Sequence, residues 1–262
     1  TFKELEEAIK NSTNDYLDLY DDYEFNNETD SKIGILIDRH NFVINGNGHT
    51  IDGKNRSRIC VTATNVTVNN LILINGNADN GGAVYTEGTA TLNNVTFINN
   101  YATQGGAVAL LFDDVLNINN SKFIDNTALY GGATYVGGHD NVIDNCTFEN
   151  NNDKYYGGAV DIFSTDNVVD NCTFKNNHVD YYGGAIALEK NDNLVNNSVF
   201  NNNSAGYGGA VYFSAKDNVI DNCTFENNTA SVNGSSVYII GSNTLINSSE
   251  FNHNNATSGG AV

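Results

Sequence analysis

Four tyrosines recur at one spacing. Tyr130, Tyr156, Tyr182 and Tyr207 each stand immediately before a Gly-Gly pair, and Tyr155 and Tyr181 double two of them. An exposed strip of such rings is a platform for sugar rings, because each ring offers a rigid apolar face and a polar hydroxyl. The same column can instead pack on itself and serve only as a corner of the fold. It is the best candidate ligand-binding site in the chain. Acidic columns keep the same spacing: Asp140, Asp166, Asp192 and Asp217 form one, and Asp144, Asp170 and Asp221 another, interrupted by Asn196. Stacked like charges raise carboxyl pKa values, and a hard cation such as Ca²⁺ relieves them through oxygen ligands. No chelating cluster stands out within one repeat. Short acidic side chains also bond the backbone of their own turns. These columns therefore read as solvent-facing turn caps, and no metal ligand is assigned.

Cys146, Cys172 and Cys223 share a column in which Ser198 takes one slot. Side chains in register on neighbouring coils point in parallel, which is poor geometry for a disulfide, so inert buried thiols are expected. There is no CxxC pair and hence no zinc site of the usual spacing. His40, His49, His139, His178 and His253 fall in different columns. No nucleophile elbow or phosphate loop occurs. Lys154 beside Asp153 and Lys190 beside Glu189 read as surface ion pairs. An active site usually interrupts a repeat with an insertion, and none is present here. No catalytic residue and no cofactor are assigned.

The elements that carry these columns follow from the repeat itself. Gly-Gly-Ala recurs with first glycines at 81, 105, 131, 157, 183, 208 and 259, and Gly234-Ser-Ser fills the one gap. Phe97, Phe123, Phe148, Phe174, Phe200, Phe225 and Phe251 keep the same step, each with an Asn three residues later (Asn100, Asn126, Asn151, Asn177, Asn203, Asn228 and Asn254). Each unit of about 25 residues holds three runs of four to six residues with period-two character, split by Asn, Asp and Gly. No run beyond the N-terminus is long enough for an amphipathic helix. Three short strands per unit predict an all-β right-handed parallel β-helix, whose coils stack about 4.8 Å apart and align equivalent residues into ladders.

Composition agrees. The 262 residues include 25 Gly, 48 Asn and no Pro, Met or Trp. Stacked coils must donate and accept on both edges, which excludes Pro. Asn tolerates left-handed backbone, which suits corners at Asn145, Asn171, Asn197 and Asn222. Of the N-x-[ST] matches, those at Asn145, Asn171 and Asn222 read as ladder amides too buried to carry a glycan, and Asn27, Asn202, Asn227 and Asn255 as acceptors in loops. A net charge of −19 and only three Arg, all in the first quarter, repel polyanions. Nucleic acid is therefore excluded as a partner, and a membrane is reached only through an anchor outside this stretch.

The ends differ from the middle. Residues 1–12 predict a capping helix, with Thr1 and Glu4 as a capping box and Phe2, Leu5 and Ile9 on one face. Residues 13–58 supply irregular first coils and residues 59–262 about eight regular ones, all in a single domain. The last coil ends without a cap, which a solenoid needs. The chain is thus expected to be a piece of a longer protein, or to stack end to end on another such edge.

The GGA[ILV] and FxxN pair resembles the repeats of chlamydial polymorphic membrane proteins. With the run Ile44-Asn-Gly-Asn-Gly-His-Thr-Ile-Asp-Gly53, the chain is still more similar to adhesin-like surface proteins of gut methanogenic archaea. That resemblance implies an extracellular, cell-surface β-helix that contacts glycans or the surfaces of other cells, and it carries over no catalytic residues. The function expected is a non-catalytic adhesin fragment. The alternatives are a structural stalk of a larger surface protein and, further off, a pectate-lyase-like polysaccharide-degrading enzyme.

Overall fold

A computed structural model describes residues 1–262. Strands of two to five residues pair only in parallel, each with the equivalent strand of the coil before and after it. Ten strands form a first sheet, from Tyr16–Asp18 to Leu245–Asn247, and ten a second, from Tyr23–Glu24 to Glu250–Asn252. Nine form a third, from Ile35–Ile37 to Val237–Ile239. The result is the right-handed parallel β-helix expected, with about nine turns. One feature departs from three strands per coil. A fourth sheet of five strands, Asn152–Asp153 to Asn255–Ser258, builds up in the later coils. In earlier coils the same segment makes only isolated bridges, such as Tyr101 with Thr127. These strands are too short and too polar to show a period-two pattern.

Corners are set by backbone chemistry. Asn145, Asn171, Asn197 and Asn222 sit at φ of 51°, 51°, 48° and 50°, left-handed geometry that Asn adopts more readily than most residues. The Asp140, Asp166, Asp192 and Asp217 column occupies another left-handed corner, at φ of 56° to 62°, so these residues are turn formers. Gly157 holds φ at 69°. A Cβ on the next residue, Gly158, would collide with the carbonyl oxygen of Gly184 in the coil above. The pair is therefore needed for two different reasons, left-handed backbone and close approach.

Ladders fill the interior. Phe97 to Phe251 stack with ring centroids 4.6 to 4.9 Å apart and planes within 10° of parallel. Three residues on, the buried Asn column is satisfied at every oxygen and nitrogen that faces the core. The Asn177 side-chain oxygen accepts from the backbone N–H of Asn151 at 3.0 Å and from its Nδ2 at 2.9 Å. Asn177 Nδ2 donates to the Phe148 carbonyl at 3.0 Å and to Asn203 Oδ1 at 3.0 Å. A second buried ladder, Asn141, Asn167, Asn193 and Asn218, does the same work at another corner. Cys146, Cys172 and Cys223 are buried free thiols, and the backbone N–H groups of Cys172 and Cys223 donate to Ser198 and Ser249 hydroxyls at 3.1 Å.

The N-terminal helix, Phe2–Asn11, closes the first coil as expected. Thr1 and Glu4 form the capping box, and Phe2, Leu5 and Ile9 are buried. Asp30 accepts from the N–H groups of Phe2 and Lys3 at 3.1 and 3.0 Å. Arg39 donates to the carbonyls of Ile9 and Ser12 at the other end of the helix, where a cation complements the helix dipole.

Candidate functional site

The four tyrosines of the repeat do form one strip. Gln104, Tyr130, Tyr156, Tyr182 and Tyr207 bridge in sequence along the axis, at the bend that leads into the third sheet. All four tyrosines are half-buried. Neighbouring rings in the column lie 6.3, 5.2 and 5.2 Å apart and nearly parallel. Tyr155 and Tyr181 form a parallel pair at 5.8 Å. Much of each ring face is therefore covered by the next ring, and each side chain is left only partly open to solvent.

The strip is one wall of a larger aromatic surface that the sequence reading did not assemble. In the third sheet, Val160 and Ile162 belong to the core, so strand alternation turns Asp161 to the outside. Register then aligns Tyr85, Ala109, Tyr135, Asp161, Ala187, Tyr212 and Tyr238 on that outer face. Tyr212 packs against Tyr182 at 4.7 Å and against Tyr156 at 6.1 Å. In sequence this column is the second residue after each Gly-Gly-Ala, and Asp161 is its only charged member. That lone substitution was the available signal.

Asp161 lies on the floor of a cavity of about 150 Å³ lined by Gln104, Tyr130, Tyr135, Tyr156, Phe163 and Glu189. The residue is fully buried, and its carboxyl hydrogen-bonds that of Glu189, with one proton shared by the pair. Burial drives its pKa well above the usual carboxylate range, and the charges of Glu189 and Asp153 push it further. Glu189 sits one coil up and two residues along, a diagonal position within reach of a long side chain. The small Ala187 leaves it room to lean back over Asp161. Burial raises the Glu189 pKa as well, against the hydrogen bond from Asp161 and the charge of Lys190. Around them burial also raises Tyr135, Tyr156 and Tyr212, the last to about 12. Asp153 is buried too. Its Oδ1 accepts from the N–H groups of Tyr155 and Tyr156 at 2.6 and 3.1 Å, while burial lifts its pKa to about 8.

Two sequence expectations are corrected here. Lys154 and Lys190 do not pair with their acidic neighbours in sequence. Their ammonium groups lie over the rings of Tyr155 and Phe163, at 5.0 and 4.2 Å from the ring centroids. Alternation sends adjacent residues in opposite directions, so Asp153 goes inward while Lys154 stays in solvent. The corner amides Asn145, Asn171 and Asn222 are exposed rather than buried. They form a surface ladder, with Asn171 Nδ2 donating to Asn145 Oδ1 at 3.2 Å. The buried ladders are the FxxN column and the Asn141 column. The second acidic column also resolves: Asn197 and Asn247 donate to Asp170 and Asp221 at 2.8 and 3.0 Å, so Asp and Asn share one surface ladder.

Comparison with known proteins gives one match. Residues 24–225 and 107–262 fit the family model described as a right handed beta helix region. No curated protein and no solved structure matches the chain.

Proposed function

We propose, for a chain that belongs to the right-handed β-helix family, the role of a non-catalytic, extracellular module of a cell-surface adhesin that binds glycans on partner cells along its tyrosine face. The observation that carries this reading is the continuous aromatic surface formed by Tyr130, Tyr156, Tyr182 and Tyr207 with Tyr212 and Tyr238. Partly exposed rings on a rigid scaffold supply contact area at little cost in side-chain entropy. The acidic surface, at net charge −19, selects neutral or cationic saccharides over sulfated or uronic ones.

A structural stalk is the competing role. It is favoured by the self-stacking of the same rings, which occupies their faces. A glycan array read against the wild type and the single variants Tyr156→Ala, Tyr182→Ala and Tyr207→Ala decides between them. Binding that weakens by about 1 kcal/mol or more per truncated ring supports the proposal. No binding by the wild type, or binding untouched by all three changes, leaves the stalk. Release of reducing ends or unsaturated products from polysaccharides would overturn the non-catalytic reading.

A further inference from the structure

Two of the three arginines in the sequence meet in one cleft. It has a volume of about 510 Å³ and is lined by Lys32, Arg56, Arg58, Asp79, Tyr101 and Thr103, within the ~300–1,000 Å³ usual for small-molecule sites. Ser57 and Ile59 are buried, so alternation turns Arg56 and Arg58 outward together. Arg58 is fixed in place. Its Nε donates to the carbonyls of Asn80 and Gly81 at 3.0 and 3.3 Å, and its Nη1 to that of Ile33 at 3.3 Å. The guanidinium lies 5.1 Å from the Tyr85 ring centroid, and its Nη2 makes no hydrogen bond. Burial works against the Arg58 charge, a cost that an anion beside it offsets. Arg39 pairs with Asp15, and Lys54 with Glu24 and Asp52. Lys32, Arg56 and Arg58 have no carboxylate partner, although Asp and Glu outnumber Lys and Arg by 31 to 12. Tyr101 is 46% exposed, and unlike the rings of the strip it has no aromatic neighbour. Asn80 bridges to Gln104 and Gln104 to Tyr130, so the cleft lies at the N-terminal end of the tyrosine face.

We infer that this cleft binds the phosphate monoester group of a small molecule, held by Lys32, Arg56 and Arg58, with the body of the ligand against Tyr101. Three cations face the single carboxylate of Asp79. That excess of two charges matches a phosphate monoester, which carries about −1.5 to −2 at pH 7, whereas a carboxylate or a sulfate monoester brings a single charge. The planar fork of Arg fits phosphate oxygens in pairs, and Lys adds a point charge. The rest of the surface, in a chain of net charge −19, repels long polyanions, so the fit is to a small ligand. The site stands apart from the glycan reading, since it shares no residue with Tyr130, Tyr156, Tyr182 and Tyr207.

The test is calorimetric titration of the intact chain with phenyl phosphate at low ionic strength. Saturable binding is expected, tighter than that of phenyl sulfate or benzoate by about tenfold or more. Arg56→Gln and Lys32→Gln change exposed side chains that make no hydrogen bond or ion pair, and each should weaken binding about tenfold. Asp79→Asn should tighten it. Tyr101→Ala should weaken the binding of phenyl phosphate and leave that of inorganic phosphate unchanged, which separates the ring contact from the charge. Tyr182→Ala and Tyr207→Ala should leave phenyl phosphate binding unchanged, so failure here and failure of the glycan proposal are separately visible. Displacement by glucose 6-phosphate but not O-phosphoserine supports the site with a sugar phosphate as its ligand, and the reverse supports it with a phosphorylated amino acid. The inference is overturned if the wild type shows no saturable binding, if Arg56→Gln and Lys32→Gln both bind like the wild type, or if phenyl sulfate binds as tightly as phenyl phosphate.

Discussion

The inside of the second sheet and the outside of the third are built from the same coils under opposite rules. Inside, one residue type holds its column for seven coils: Phe97 to Phe251, and Asn100 to Asn254 beside it. Outside, the column reads Tyr, Ala, Tyr, Asp, Ala, Tyr, Tyr from residue 85 to residue 238. A ladder position is fixed by its neighbours above and below, because an Asn needs an Asn on each side to satisfy its amide. An outer position has no such constraint, and its variation carries what is particular to this chain. In a solenoid, repetition marks the scaffold and its interruption marks the candidate site.

Titration separates the two regions most strongly. The inner ladders hold rings and amides, which do not ionise, whereas the outer side of the third sheet buries Asp161 beside Glu189, and Asp153 is buried nearby in the fourth sheet. Each of these carboxyls has a folded pKa above its ordinary value. The stability they contribute is complete below the unfolded value and is lost as pH rises through the folded one. For Asp153 the window runs from 3.8 to about 8, an effect on the order of a few kcal/mol at the top of the window. Asp30 has the opposite sign. Although partial burial opposes it, hydrogen bonds from Asn26, Lys3 and Phe2 hold its pKa low, so its contribution is lost only as pH falls below the ordinary carboxylate range. The melting temperature should therefore fall as pH rises from about 4 to about 8. Asp153→Asn, which keeps the Oδ1 acceptor for Tyr155 and Tyr156, should flatten that fall. Parallel curves for variant and wild type would remove the buried-carboxyl account.

Truncating one ring in each region comes next. Phe148→Ala empties the middle of a closed stack and should cost about 3–5 kcal/mol in urea unfolding. Tyr182→Ala sits on the half-exposed strip and should cost about 1 kcal/mol. Equal losses would mean that the strip is core in all but position.

How much of this was legible follows the same division. Glycine, phenylalanine and asparagine columns disclosed the coil, its period and its left-handed corners, because stacking repeats each requirement until it exceeds chance. The capping helix was legible for a local reason, the Thr1 and Glu4 box with its apolar face. Asp161 was missed because a site built on one departure from a column has no periodicity. Lys190 beside Glu189 was misread as an ion pair, since adjacency in sequence says nothing of which way alternate side chains point. The fourth sheet was missed because two-residue strands such as His178–Val179 carry no pattern. The strip of Tyr130, Tyr156, Tyr182 and Tyr207 was legible as a column, but the rings that widen it, Tyr212 and Tyr238, became visible only through register.

The finest contrast lies between two adjacent asparagines. Asn177 is buried in the FxxN ladder, and Asn177→Ala strands the Asn151 N–H and the Phe148 carbonyl, at about 1–3 kcal/mol for each group left without a partner. Asn176 is half-buried at φ 55°, and its Nδ2 reaches Asn150 Oδ1 at 3.2 Å where the bond is open to water. A bond to an amide in water is readily replaced, so Asn176→Ala should lose only the left-handed backbone preference, roughly 1 kcal/mol. Asn176→Gly tests that assignment directly, because glycine keeps the backbone geometry and deletes the side chain. Its midpoint in urea should stay within about 0.5 kcal/mol of the wild type. If Asn176→Gly costs as much as Asn176→Ala, the surface ladder bond rather than the corner geometry holds that column, and the outer amides then belong with the scaffold.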